Sequence, residues 1–215
     1  MRSIKIAGML FVLVLVVSAV ASASAVAAPE FLGTLPTSIT GTSGEGELTD
    51  PASGLVIKCK KDKVSGKVLT ATTVEATVDF ETCKIGGFAA QSLGDKSGII
   101  LVPVTGKLCY INKANKEVGT LFVLPEGGIH IEVPSLGELL VITGSVVGLS
   151  EPVNTASTEG KVKVAGSKTC ELTKAEKEAG ADVLTVEKEH NGSPLSGEEI
   201  TTETLTFGNT LTLDA

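Results

Sequence analysis

Alternation with a period of two residues runs through much of this chain and predicts strands. Val74, Ala76, Val78 and Phe80 alternate with Glu75, Thr77 and Asp79. That spacing puts one face on a core and the other in water. Ile129, Ile131 and Val133 alternate with His130 and Glu132 in the same way. Three runs are apolar on both faces: Ile99 to Val104, Leu121 to Leu124, and Leu139 to Ile142 continuing to Val146 and Val147. Such runs predict central strands covered on both sides, with Gly144 marking a bend or bulge in the longest. Near the C-terminus, Leu205 and Phe207 precede Gly208-Asn209, and Leu211 and Leu213 follow it. With Thr204, Thr206, Thr210 and Thr212 on the other face, this predicts a terminal hairpin.

From Gly44 onward, short runs of Val, Ile, Thr and Leu are punctuated by Gly, Asn, Asp and Pro. Residues 28–43, rich in Thr, Ser, Gly and Pro, read as an extended lead or a weak edge strand. One segment departs from the β pattern: Thr173-Lys174-Ala175-Glu176 has the form of a capping box, and Gly180 can stop the helix it starts. The fold class expected is all-β, a mainly antiparallel β-sandwich or paired sheets, with at most one short helix near residues 173–180. One sandwich-like domain over 44–215 is expected, with the loops near 90–98 and 150–158 as candidate points of subdivision. No internal repeat is evident.

The start of the chain has another character. Arg2 and Lys5 precede an apolar run from Ile6 to Val20, and small residues then lead to Ala25-Val26-Ala27. This is the layout of a secretory signal over residues 1–27, cleaved after Ala27. The alternative is an uncleaved N-terminal helix holding the protein at the envelope, since Ile6 to Ala28 approaches the length of a bilayer span. No Cys lies near the cleavage region to accept a lipid; the first is Cys59.

Charge narrows the partners. The chain has 18 Lys and Arg, and the leader takes Arg2 and Lys5 with it, leaving 16 basic residues against 25 acidic ones, net −9. A surface so acidic argues against nucleic acid, whose binding needs cations to displace counterions, and against adhesion to anionic membranes once the signal is removed. Four Cys in an exported chain read as up to two disulfides with three connectivities. The favoured pairs are Cys59 with Cys83 and Cys109 with Cys170. Cys59 shares phase with Leu55 and Ile57, whereas Cys83 falls opposite Phe80 in phase and requires a bulge or a strand end. No CxxC or Cys/His spacing suggests a metal, and no cofactor is implied.

Candidate chemistry is sparse. His130 beside Glu132 has the make-up of a base and its orienter, although an exposed strand residue is the simpler reading. His190 lies in Glu189-His190-Asn191-Gly192-Ser193, which is turn chemistry. No nucleophile elbow, zinc-protease helix, phosphate loop or dinucleotide glycine pattern is present. Gly86-Gly87 and Gly127-Gly128 read as turns. Glu198-Glu199, and Asp79 with Glu81, are carboxylate pairs of the kind glycosidases use, yet a solvated face explains them more simply. Tyr110 is the one candidate carbohydrate platform, with packing as the plainer role. The Thr rows at 204–206 and 210–212 resemble ice-binding arrays but are short. Asn191 heads a glycosylation sequon followed by Pro194.

Four phrases taken together, Leu55 to Lys60 (LVIKCK), Leu108 to Gly119 (LCYINKANKEVG), Gly144 to Asn154 (GSVVGLSEPVN) and Thr202 to Phe207 (TETLTF), resemble a group of uncharacterised exported bacterial proteins, mostly from high-GC Gram-positive (actinobacterial-type) lineages. The resemblance implies secretion and β-rich structure and brings no functional residue. The reading is therefore a secreted, non-enzymatic β-protein with a structural or binding role at the envelope or outside the cell, its partner unnamed by the sequence. Two alternatives accompany it. One is a secreted hydrolase around His130. The other is a small-molecule or glycan carrier, for which an enclosed apolar cavity of at least ~300 Å³ is expected.

Overall fold

The computed structural model describes residues 28–50, 54–165, 168–171, 184–188, 195–196 and 198–215. In chain order the strands are β1 (Glu30–Gly33), β2 (Thr37–Ser43), β3 (Gly46–Asp50), β4 (Leu55–Cys59), β5 (Lys61–Val68) and β6 (Thr73–Glu81). There follow β7 (Lys84–Ile85), β8 (Phe88–Ala89), β9 (Gln91–Ser92), β10 (Ile99–Asn112), β11 (Glu117–Val123) and β12 (Ile129–Val133). The last are β13 (Glu138–Glu151), β14 (Ala156–Ala165), β15 (Leu184–Lys188), β16 (Leu195–Ser196) and β17 (Glu198–Asp214).

Eight of them, β2, β5, β6, β10, β11, β13, β14 and β17, close into an antiparallel barrel. Each stave pairs with the next stave in sequence, and β17 returns to β2 with Leu205 opposite Gly41, so the topology is up-and-down. Alternation decides which residues enter. Val64, Val78 and Val102 form one inward row across β5, β6 and β10. Lys63, Lys67, Thr40, Thr42, Thr202 and Thr204 face outward and are exposed. An outer wall of this composition meets water rather than lipid. Closure leaves no stave with a free edge.

Because the staves alternate in direction, all four longer excursions leave from the same end. β3–β4 lies between β2 and β5, β7–β9 between β6 and β10, β12 between β11 and β13, and β15–β16 between β14 and β17. They interlock into a cap. β17 pairs with β3, β3 with β4, and β4 with β7; a second sheet joins β9, β12, β13 and β15. Between them lies an apolar cluster of Ile57, Ile85, Ile131, Val133, Leu140 and Ile142, with both Cys59 and Cys83. β13 serves both layers. Residues 138–144 belong to the cap sheet and 145–151 to the barrel. The changeover falls at Gly144, whose φ of 103° favours glycine, as its place in the sequence predicts.

The opposite end has short connections, 69–72, 113–116 and 152–155, and is crossed by β1. This strand pairs with Leu211–Asp214, and the Phe31 N–H donates to Ala71 O at 2.6 Å. Its Phe31 ring packs edge-on against Phe207, centroids 6.5 Å apart. Both expected disulfides are present, Cys59–Cys83 and Cys109–Cys170. Cys83 meets its partner because β6 ends at Glu81 and Thr82 turns through a positive φ of 60°, the strand end that its phase required. The second disulfide holds residues 168–171 against the outside of the barrel, where Cys170 covers Leu121 and Val147. That explains the apolar outward positions Leu121 and Val147, whereas Val123 in the same run as Leu121 is exposed.

One expectation sharpens and three change. The antiparallel all-β fold takes a more specific form than a sandwich or paired sheets: the first and last staves pair, so the main sheet closes on itself, and a second sheet lies at its end. Residues 37–43 are a full stave flanked by β5 and β17, not an edge. The C-terminal hairpin is absent. β17 runs unbroken and absorbs Phe207 to Thr210 as a bulge, opposite the step from Ser157 to Glu159 in β14. Neighbours on both sides, β14 and β1–β2, hold it extended, and the Asn209 side-chain amide donates to Thr37 Oγ1 at 3.2 Å. Finally, the run from Ile99 to Val104 is not fully covered outside, since Pro103 is exposed and Leu101 half-buried. The helix expected near 173–180 and the leader at 1–27 lie outside the described residues.

Candidate functional site

The barrel is filled at both ends and hollow between them. The cap cluster closes one end, and Phe31, Val68, Val74, Leu108, Tyr110 and Leu211 pack the other. In the middle, Val78, Val102, Val104, Phe122, Val146 and Leu205 face inward within a closed barrel yet are only half-buried. They line a cavity of about 180 Å³. Its wall continues to the exposed Pro152, Thr155 and Glu159 beside the β17 bulge, so the interior communicates with the surface there. An eight-stranded barrel is just wide enough either to fill with side chains or to hold one small ligand. The cavity is smaller than the ~300 Å³ expected of a carrier for a drug-sized ligand. It exceeds the roughly 150 Å³ at which an apolar cavity accepts benzene.

Few polar groups interrupt this lining. Thr120 on β11 and Ser150 on β13 are diagonal neighbours on the inner face, 4% and 6% exposed, with their hydroxyl oxygens 2.9 Å apart. Nearer the cap, Asp62 takes hydrogen bonds from the Ser43 N–H at 3.1 Å and from the Ser43 hydroxyl. Thr201 Oγ1 lies 3.3 Å from both Ser43 Oγ and Glu203 Oε1. Asp62 and Glu203 are 2% and 8% exposed, so two carboxyl side chains stand inside the barrel. Phase could have found all of these inward polar residues. Asp62 is in step with Val64 and Val68, Thr120 with Val118 and Phe122, and Glu203 with Leu205 and Phe207.

The residues singled out for chemistry do not gather. His130 is exposed on β12 opposite Val141, and no hydrogen-bond partner for its imidazole occurs among the described residues. Glu132, its intended orienter, instead accepts from the Gln91 amide at 2.8 Å. Glu81 lies between Lys61, at 2.8 Å, and Lys63, whose ammonium groups hold its carboxyl down to about 2. Asp79 Oδ1 is buried on the outer wall with no hydrogen-bond partner among the described residues. Tyr110 packs in the cluster opposite the cap, with Lys113 Nζ 5.7 Å above its ring. Gly86, Gly87, Gly127 and Gly128 all have positive φ in turns. His190, Asn191 and the side chains of Glu198 and Glu199 lie outside the described residues. Among the described residues no group of three or more His, Cys, Asp or Glu is placed to hold a metal ion. Comparison with family models, with curated proteins and with solved structures finds no match to this chain.

Proposed function

We propose that this protein is a secreted, non-enzymatic barrel that holds a small apolar molecule in its interior. One observation carries the reading: the middle of the closed barrel is lined by inward-facing aliphatic and Phe side chains that are only half-buried and surround about 180 Å³. Close packing is the rule in protein interiors, and an eight-stranded barrel has side chains enough to fill its centre, so a centre left open suits a guest. Export accords with the leader pattern at residues 1–27, with the resemblance to exported bacterial proteins, and with two disulfides, which persist in oxidising compartments. The hydrolase reading loses its support, because neither His130 nor Glu132 faces a nucleophile among the described residues.

Titration of the oxidised protein with ethylbenzene, followed by methyl NMR, tests this reading. Saturable shifts are expected at Val78, Val104 and Val146, with the methyl groups of exposed Leu136 as the outside control. Absence of a saturable response at the inner valines would end the carrier reading. Retention of the protein by the cell after export, with residues 1–27 still attached, would replace a released carrier by an anchored one.

A further inference from the structure

We infer that the interior site selects a neutral, compact hydrocarbon bearing a single hydrogen-bond-accepting oxygen, which the Thr120–Ser150 hydroxyl pair receives. The inference rests on the carrier reading and names the ligand class for the same cavity. Two hydroxyl groups carry two protons. The contact between Thr120 Oγ1 and Ser150 Oγ, at 2.9 Å, uses one of them. Neither residue has a further hydrogen bond among the described residues, so the second proton is unspent. Both side chains are more than nine-tenths buried and line the cavity. A buried hydroxyl proton is rarely left without an acceptor, and the side chains opposite the pair on the inner face, Leu108 across from Thr120 and Val162 across from Ser150, offer none. A ligand carbonyl, ether or alcohol oxygen completes the set.

Charge and size exclude the neighbouring classes. A carboxylate ligand would give up its hydration for a wall that is almost wholly apolar. About 180 Å³ admits a single ring with a short substituent, by comparison with the roughly 150 Å³ that takes benzene. A long acyl chain or a sugar does not fit that description.

Two isosteric probes separate this inference from the reading beneath it: ethylbenzene, and acetophenone, in which a carbonyl replaces one methylene. Dissociation constants are measured by NMR titration for the wild type and for the double variant Thr120→Val/Ser150→Ala. Replacing both hydroxyls by apolar groups of similar shape leaves no orphaned partner and is close to neutral for folding. The variant should weaken acetophenone by about fivefold to tenfold, the worth of one net hydrogen bond, and leave ethylbenzene within about twofold. If neither probe binds the wild type, the carrier reading itself fails. If both bind but the variant shifts them equally, the hydroxyl pair holds only water or nothing, and the ligand class is wrong. Tighter binding of protonated 1-phenylethylamine than of acetophenone would also overturn it, pointing to the interior carboxyl groups instead. A measurement on the wild type alone guards against a variant that does not fold. The carbonyl stretch of bound acetophenone should fall below its frequency in alkane; a stretch at the alkane value would refute the hydrogen bond.

Discussion

Filling the hollow should stabilise the protein, whereas adding methylenes to an ordinary core destabilises it. The perturbation is the triple substitution Val78→Ile, Val104→Ile and Val146→Ile. The three sites lie on β6, β10 and β13, all facing the cavity and all half-buried. Isoleucine keeps the β-branched shape that strands favour, so the change is confined to one methylene per site. Each methylene that leaves water for an apolar contact contributes about 0.8 kcal/mol, or about 2.4 kcal/mol for three. A ceiling follows from the cavity: 180 Å³ at about 24 cal/mol per Å³ corresponds to about 4.3 kcal/mol if filled completely. The gain therefore lies well inside what the space allows. Urea unfolding is the assay, with the midpoint rising and the slope unchanged if compactness of the end states is preserved. In a close-packed barrel the same insertions would cost about 1–3 kcal/mol through displaced rotamers and backbone. A lowered midpoint would thus refute the hollow, and with it the carrier function. The triple variant should also lose ethylbenzene binding, since the guest and the new methyl groups compete for one volume.

Other outcomes follow from separate parts of the structure. Removing Cys59–Cys83, which spans 24 residues, should cost about 3.4 kcal/mol by loop entropy, and removing Cys109–Cys170, which spans 61, about 4.3 kcal/mol; denaturant midpoints in which the shorter loop costs more would contradict that account. Gly66→Ala places a Cβ 2.2 Å from Glu75 O and 2.7 Å from Ala76 Cα. Backbone cannot yield as a side chain does, so a loss of at least about 1–3 kcal/mol is expected in the same assay; a neutral result would mean that β5 and β6 lie further apart here. Glu81 has a folded pKa of about 2 against an ordinary 4.5. Its depressed value contributes stability that is complete above pH 4.5 and is lost as pH falls from there through 2. Glu81→Gln should flatten that part of the acid limb of an unfolding-versus-pH profile, and an unchanged limb would show that Lys61 and Lys63 do not act on it.

The local parts of the fold were legible. Val74 to Phe80 and Ile129 to Val133 are strands with the faces their alternation assigns, and both cysteine pairs form. Closure was not legible, because a stave and a sandwich strand present the same pattern: one apolar face, one polar. The distinction lies in whether Leu205 finds Gly41, more than 160 positions earlier, and no local period reports on that. The hairpin expected at Gly208-Asn209 failed for a related reason. Turn-forming residues permit a reversal, but strands already waiting on both flanks keep the chain extended, and Gly208 relieves the crowding against Ser38 Oγ, 2.4 Å from where its Cβ would be. At the candidate site, attention to His130 and Glu132 followed side-chain chemistry, while the interior polar groups announced themselves only by phase.

The pairing of β17 with β1, β2, β3 and β14 makes the final segment the seam of the whole molecule. A polypeptide delivered amino end first has every other stave available before this one arrives, and until then it is an open sheet with two sticky borders, β2 and β14, each able to recruit a stranger. Sealing is thus the last event of maturation, and a chain that stops short of residue 198 is left with those borders unsealed. Clearance of such fragments, rather than their activity, is what an early stop would be seen to change.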